Sequence, residues 1–162
     1  MVQFSVPLKT APQGKAKSSY TFSVSDNAVL FAGSRNFQIP HRVCSTLISG
    51  FARIGKDNFL VGCAHGVDES FRSAFSLSPH AHEVFVACAF KNRVRNCNGL
   101  FAAHVVPPGV PPKGALVRRT LWLVKNCSMA VIFPDNPQTG SWGKGSRLAF
   151  NSCIYQLKPV FI

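Results

Sequence analysis

Three short glycine-bearing turns each stand where an apolar strand should hand over to a helix: Ala28-Val29-Leu30-Phe31-Ala32-Gly33-Ser34-Arg35, Leu60-Val61-Gly62-Cys63-Ala64-His65-Gly66-Val67-Asp68 and Gly140-Ser141-Trp142-Gly143-Lys144-Gly145-Ser146-Arg147. Such turns aim backbone N–H groups and helix N-termini at a common crevice, where a phosphate or other anion can rest. One of them alone would also serve as a plain strand-to-helix connection. Three within 162 residues predict a ligand-binding α/β domain.

The text between the turns supports that class. Ala28 to Ala32, Phe59 to Gly62, Glu83 to Ala89, Phe101 to Val106, Met129 to Phe133 and Pro159 to Ile162 are six candidate strands, mostly continuous in apolar character, as a parallel sheet covered on both faces requires. Pro40 to Ile54, Val67 to Leu77, Lys113 to Asn126 and Lys144 to Gln156 are the helix candidates. In the first, Val43, Leu47, Ile48 and Phe51 recur at helical spacing, with Pro40 at the start and Gly55 at the end. In the last, Leu148, Ala149, Ile154 and Leu157 are expected to face the core. Strand alternating with helix implies a right-handed, doubly wound, mostly parallel sheet in three layers. The run from Pro107 to Pro112 is a stiff loop before the Lys113 helix, and no internal repeat is visible. Residues 1–27, with Pro7, Pro12, Gly14 and three lysines, are expected to form a basic, partly mobile N-terminal extension, and 28–162 a single domain.

Charge narrows the choice of partner. The chain carries 18 Lys and Arg against 6 Asp and Glu, a formal net charge of +12. Only Lys9, Lys15, Lys17 and Asp26 fall in the extension, so most of the excess sits on the fold. No acidic residue lies between Glu83 and Asp135, whereas Lys91, Arg93, Arg95, Lys113, Arg118, Arg119 and Lys125 do. A phosphate-rich partner is expected; a solvated basic face is the alternative. None of the six cysteines has CxxC spacing, so buried free thiols are expected rather than a disulfide framework, and His80-Ala81-His82 is too sparse for a metal site. With no apolar run of membrane-spanning length and no secretory leader, the expected location is cytoplasmic, with no membrane partner.

Taken in order, Gly-Ser-Arg after the first strand, Gly-x-x-x-Gly-Val-Asp after the second, and Asp-x-x-x-x-Gly-Ser-x-x-x-Gly-Ser opening the last helix resemble the SLOG superfamily. That Rossmann-like group joins DNA-processing protein A (Smf) to the lonely-guy nucleotide hydrolases, and small stand-alone YspA-like members are the nearest pattern. The resemblance covers most of 28–162. It implies that Gly33, Ser34 and Arg35 line a ligand crevice, with Gly62, His65, Gly66 and Asp68 on the next wall and Gly140, Ser141, Gly143, Gly145 and Ser146 on the far side; within that last loop Lys144 is expected to hold an anion, and Trp142 either stacks on a base or plugs onto the sheet. His65 stands where the Smf pattern has arginine. Arg93, Arg95, Arg118 and Arg119 are candidate nucleic-acid contacts.

Enzymology turns on the last loop. Lonely-guy hydrolases show Pro-Gly-Gly-x-Gly-Thr-x-x-Glu there, with the glutamate as acid–base group, but Gly140 to Phe150 contains no carboxylate. Gly-Lys-Gly-Ser also departs from a P-loop, because Gly145 separates Lys144 from Ser146. The expectation is therefore a phosphate-binding loop without catalytic residues, holding a nucleotide or nucleotide-derived small molecule as a sensor or binding protein. Single-stranded nucleic-acid binding like the Smf core is the first alternative. A hydrolase using Asp68 or Asp135 is the second. No cofactor beyond that ligand is expected, and a homodimer is compatible with the pattern.

Overall fold

A computed structural model describes residues 27–136 and 138–162 in full, together with the backbone of two short antiparallel strands, Gln3–Ser5 (β1) and Thr21–Ser23 (β2). The remainder of the expected N-terminal extension lies outside the described residues. From Ala28 the chain runs as β3 (Ala28–Gly33), α1 (His41–Arg53), β4 (Asn58–Gly62), α2 (Val67–Ser76), β5 (Val84–Cys88), β6 (Ala102–His104), α3 (Pro112–Asn126), β7 (Met129–Phe133), α4 (Lys144–Tyr155) and β8 (Val160–Phe161). Strands β3 to β8 make one six-stranded sheet in the order β6-β5-β4-β3-β7-β8, parallel throughout. It is a Rossmann-like three-layer sandwich, as the alternation of elements predicts.

Period-two alternation in β3 divides the core. Val29 and Phe31 face α1 and α2, where Cys44, Ile48, Phe71 and Phe75 are buried; Ala28 and Leu30 face α3 and α4, where Leu123, Val124, Ala149 and Cys153 are buried. The first half is largely aromatic. Phe31 stacks on Phe71 at 4.2 Å and 9°, and Phe59 lies 5.1 Å from Phe75. Rings this large carry much of the burial energy, and their offset contacts add to it.

Two details of the expected helix faces are corrected. In α1 the buried stripe is Cys44 and Ile48, flanked by Leu47 and Phe51, while Val43 is exposed. In α4 the core face is Ser146, Ala149 and Cys153. Ile154 sits about 100° further round and is exposed. Leu157 lies past the helix with φ 55° and projects outward. Side-chain size separates the two helices from the expectation, because the small Cys44 of α1 and Ser146 and Cys153 of α4 take buried positions.

Connections place the crevice. Each strand from β3 to β6 is laid down further to one side, and the chain then crosses the sheet through α3 to put β7 on the opposite flank of β3. Between β5 and β6 the link is a 3-10 segment, Lys91–Asn96, not an α-helix. At the carboxyl ends of β3 and β7 the chain leaves toward opposite faces, α1 on one and α4 on the other. This reversal opens the gap in which ligands of doubly wound folds sit.

Candidate functional site

A cavity of about 430 Å³ occupies that gap. Its floor is Leu30, Ala32, Leu123 and Ala149; Gly33 and Arg35 from the β3 turn, Ala64 and Asp68 from the β4 turn, and Gly143 to Ser146 from the start of α4 close around it. The three glycine-bearing turns therefore meet over one opening. The fourth wall is α3, which contributes Lys113, Leu116, Arg119 and Thr120, and Asp135 stands beside the α4 turn.

Four cations face this space: Arg35, Lys113 and Lys144 are exposed at the rim, and Arg119 is buried deeper. The two helix starts at the site differ. α2 carries Asp68 and Glu69 in its first turn, which already answer its positive end. α4 has no acidic residue in its first turn and no side chain capping it, so the N–H groups of Lys144, Gly145 and Ser146 open toward the cavity. The first turn of α4 thus has no carboxylate of its own, and Asp135 from outside the helix is the negative group beside it.

Beneath the rim, Arg119 Nη1 donates to Asp68 Oδ2 at 3.2 Å, both side chains being buried. The same carboxylate oxygen accepts the Ala64 N–H at 3.2 Å. A Cβ on Gly62 would overlap both the guanidinium and the carboxylate, so only glycine fits at the end of β4. Arg72 ties down the same turn by donating from Nη1 to the carbonyls of Gly62 at 2.9 Å and Ala64 at 2.8 Å. Arg119 Nε is buried with no partner among the described residues. Such an orphaned donor is costly unless something else completes it.

Asp135 is the one carboxylate at the cavity besides Asp68. Its Oδ atoms lie 2.6 and 2.7 Å from where a Cβ on Gly143 would be, so the glycine lets the carboxylate settle over the α4 N-terminus. No cation pairs with it among the described residues. Its backbone N–H bonds to the Ser141 carbonyl at 2.8 Å, which folds the Gly140 to Trp142 loop back on itself.

Other expected site residues stand apart from the lining. Ser34 is buried, its hydroxyl accepting the Asn36 N–H and its carbonyl the Val67 N–H. Gly66, with φ 74°, presses against that same segment. His65 is exposed and pairs with Glu69 at 3.5 Å. Gly140 and Ser141 are exposed, and Trp142 leans on Phe150 at 5.2 Å against the α3–α4 half of the core. Arg93 donates to the Cys63 carbonyl at 3.3 Å and lies over the Phe90 ring; Arg95 and Arg118 are exposed. Lys113, Thr120 and Asn36 were missed as site residues. Lys113 and Thr120 reach the cavity only because α3 crosses the sheet, while Asn36 follows the Gly-Ser-Arg turn directly and its position was the available signal.

Behind Arg119 three thiols converge. The Cys88 and Cys97 sulfurs are 3.6 Å apart, and Cys63 Sγ accepts the Ala89 N–H at 3.5 Å and Arg119 Nη1 at 3.9 Å. The hydrogen bond from Cys88, helped by the positive charge of Arg119, outweighs burial and holds the Cys63 thiol down at about 5. Cys88 moves strongly the other way, because it hydrogen-bonds to both neighbouring sulfurs and is itself buried. All six cysteines are buried and free, as expected. Among the described residues no group of His, Cys, Asp or Glu could hold a metal ion, and no helix is long and apolar enough to cross a membrane.

Fold and crevice together define a doubly wound Rossmann-like α/β protein with a cationic crevice at its topological switch point. Among solved structures, the chain is similar to DNA processing protein A from Helicobacter pylori, a structure that addresses that protein's single-stranded DNA binding mode, with a TM-score of 0.59 and 18% identity over 82% of this chain. The chain spans 63% of the length of that protein. No family model and no curated protein matches the sequence.

Proposed function

We propose that residues 28–162 form a SLOG-type binding domain, akin to the stand-alone YspA-like members, that holds the phosphates of single-stranded nucleic acid at the switch-point crevice. The observation that carries this reading is the convergence of Arg35, Lys113, Arg119 and Lys144 on the uncapped start of α4. Guanidinium and ammonium groups around a helix N-terminus suit phosphate oxygens. Arg118 lies one residue from Arg119 on the exposed side of α3 and extends the positive surface beyond the cavity. The single-stranded DNA binding described for the Helicobacter pylori neighbour supports the same partner class. A cytoplasmic address belongs to this reading.

A free nucleotide is the second reading, favoured by the cavity itself. At about 430 Å³ with an apolar floor, it falls in the size class of small-ligand sites. In either case binding rather than hydrolysis is proposed, since Asp68 is committed to Arg119 and Asp135 has no partner carboxylate at the cavity with which to divide acid and base roles.

Fluorescence anisotropy with a labelled oligonucleotide across salt separates the two. Contacts from Arg35, Lys113, Arg118 and Lys144 should cost roughly fiftyfold in affinity between 50 and 200 mM salt, because about four phosphates release counterions. A flat salt response with tight mononucleotide binding selects the second reading. Absence of both kinds of binding overturns the proposal.

A further inference from the structure

The cavity uses one face of Arg119, and the other face meets sulfur. Gly62, the last residue of β4, pairs with Ala87 of β5, so Cys63 just past β4 stands beside Cys88 at the end of β5, and its Sγ accepts the Ala89 N–H at 3.5 Å. Both side chains belong to the same half of the core as Cys97. Neighbouring strands lie about 5 Å apart, within the Cα separation that a disulfide spans. Cys88 lies between two sulfurs, with Cys97 at 3.6 Å on one side. Cys63 is 7% exposed where Cys88 is 0%, so a small oxidant reaches Cys63 first.

We propose that Cys63 and Cys88 are a peroxide-sensitive thiol pair whose oxidation to a disulfide changes the charge beneath the crevice. In the first step the Cys63 thiolate attacks one oxygen of hydrogen peroxide. An S–O bond forms, the O–O bond breaks, and hydroxide leaves and is protonated by solvent. Cys63 is then a sulfenic acid, its sulfur oxidised by two electrons and the peroxide reduced. In the second step the Cys88 sulfur attacks the Cys63 sulfur. The S–S bond forms, the S–O bond breaks, and the hydroxyl departs with the Cys88 proton as water.

Several features single this pair out. Arg119 Nη1 lies 3.9 Å from Cys63 Sγ and Arg93 is bonded to the Cys63 carbonyl, so the thiolate is balanced by nearby positive charge, the setting in which cysteines react. The other paired thiols, Cys127 and Cys153, are buried with the α3–α4 half of the core, where Cys153 is favoured first by Cys127 and then by Lys158, and among the described residues no arginine touches either sulfur. They serve as an internal control.

The consequence for ligand binding rests on the crevice reading above. In the reduced protein Arg119 Nη1 contacts both Asp68 Oδ2 and the Cys63 sulfur, and the Cys88 hydrogen bond together with this positive charge favours the thiolate form of Cys63. The disulfide removes one of those anions, which leaves the floor of the crevice more positive. Phosphate affinity should rise about fivefold, the scale of one elementary charge acting across several ångströms of partly screened protein.

The test treats the intact, reduced protein with substoichiometric hydrogen peroxide and maps the products by mass spectrometry. A Cys63–Cys88 linked peptide forming before any Cys127–Cys153 product is expected, and Cys88→Ser, which keeps a hydroxyl donor beside Cys63 but no resolving sulfur, should stall Cys63 as a sulfenic acid that a dione probe traps. If the control pair oxidises first, or no Cys63–Cys88 link appears in the wild-type chain, the proposal is overturned without reliance on a variant. Oligonucleotide affinity is then compared in the two forms. Equal affinity in both overturns the effect on the crevice. Binding by neither form overturns the crevice reading while the mapped disulfide still stands.

Discussion

The Asp68 carboxylate and the Arg119 guanidinium meet at 3.2 Å beneath the crevice, joining the first turn of α2 to the middle of α3 across 51 residues of sequence. Both side chains are buried, and the gap they fill exists because residue 62 is glycine. Asp68→Asn leaves an uncompensated buried arginine and should cost about 3 kcal/mol. Combining it with Arg119→Met should cost much less than the two single losses added together. Urea denaturation of the four proteins completes the cycle, and strict additivity would refute the pairing.

Gly62→Ala probes the same junction from the backbone. The added methyl would push the pair apart, so a loss of about 1–3 kcal/mol is expected despite the conservative change. Gly50→Ala, at a half-buried position of α1 where an added Cβ meets open space, should instead be neutral or slightly stabilising. Thermal melts of the two variants give the comparison.

At the rim, Arg35→Ala and Lys144→Ala should each weaken oligonucleotide binding about fivefold to tenfold. Both side chains are exposed, so stability should stay within about 0.5 kcal/mol of wild type. A variant that loses stability instead of affinity would assign that residue to the fold.

Asp135 works in the opposite sense. Its unpaired carboxylate sits over Gly143 at the start of α4, where an incoming phosphate is repelled. Asp135→Asn removes that repulsion and should tighten phosphate binding several-fold, most clearly at low ionic strength. Titration calorimetry with inorganic phosphate and a mononucleotide reads the change.

Cys63 carries a pH prediction. Its thiol is held at about 5, against an ordinary value of 9.0. The reactive thiolate is therefore formed as pH rises through about 5 and is already the main form at neutrality. Iodoacetamide labelling of Cys63, resolved by peptide mapping, should rise across that range and level off by pH 7. Labelling that climbs only near pH 9 would contradict the environment drawn by Cys88 and Arg119.

Helices and strands were legible wherever a local pattern was long enough to carry its own period. The Phe59 to Gly62 and Met129 to Phe133 runs fall on β4 and β7, and Val67 to Leu77 falls on α2. Helix faces were less legible. Ile154 and Leu157 look like core residues by composition, yet Ser146 and Cys153 took the buried positions because the sheet surface there admits small side chains. Within the site, the glycine turns marked Gly33, Arg35, Asp68 and Gly143 to Ser146 before any contact was known. Lys113 and Thr120 carried no such mark, since nothing local says where a helix lands after crossing a sheet.

By itself the sequence determined the alternation of parallel strands and helices, the glycine turns that expose backbone N–H groups, and the positive charge that favours an anion. These follow from side-chain period and backbone sterics, which act over a few residues. Tertiary structure alone decided that α3 closes the crevice, that Arg119 meets Asp68 on one side and Cys63 on the other, and that Cys88 falls between Cys63 and Cys97. Those contacts join segments tens of residues apart, and only the strand order, with β7 placed beside β3, brings them within reach.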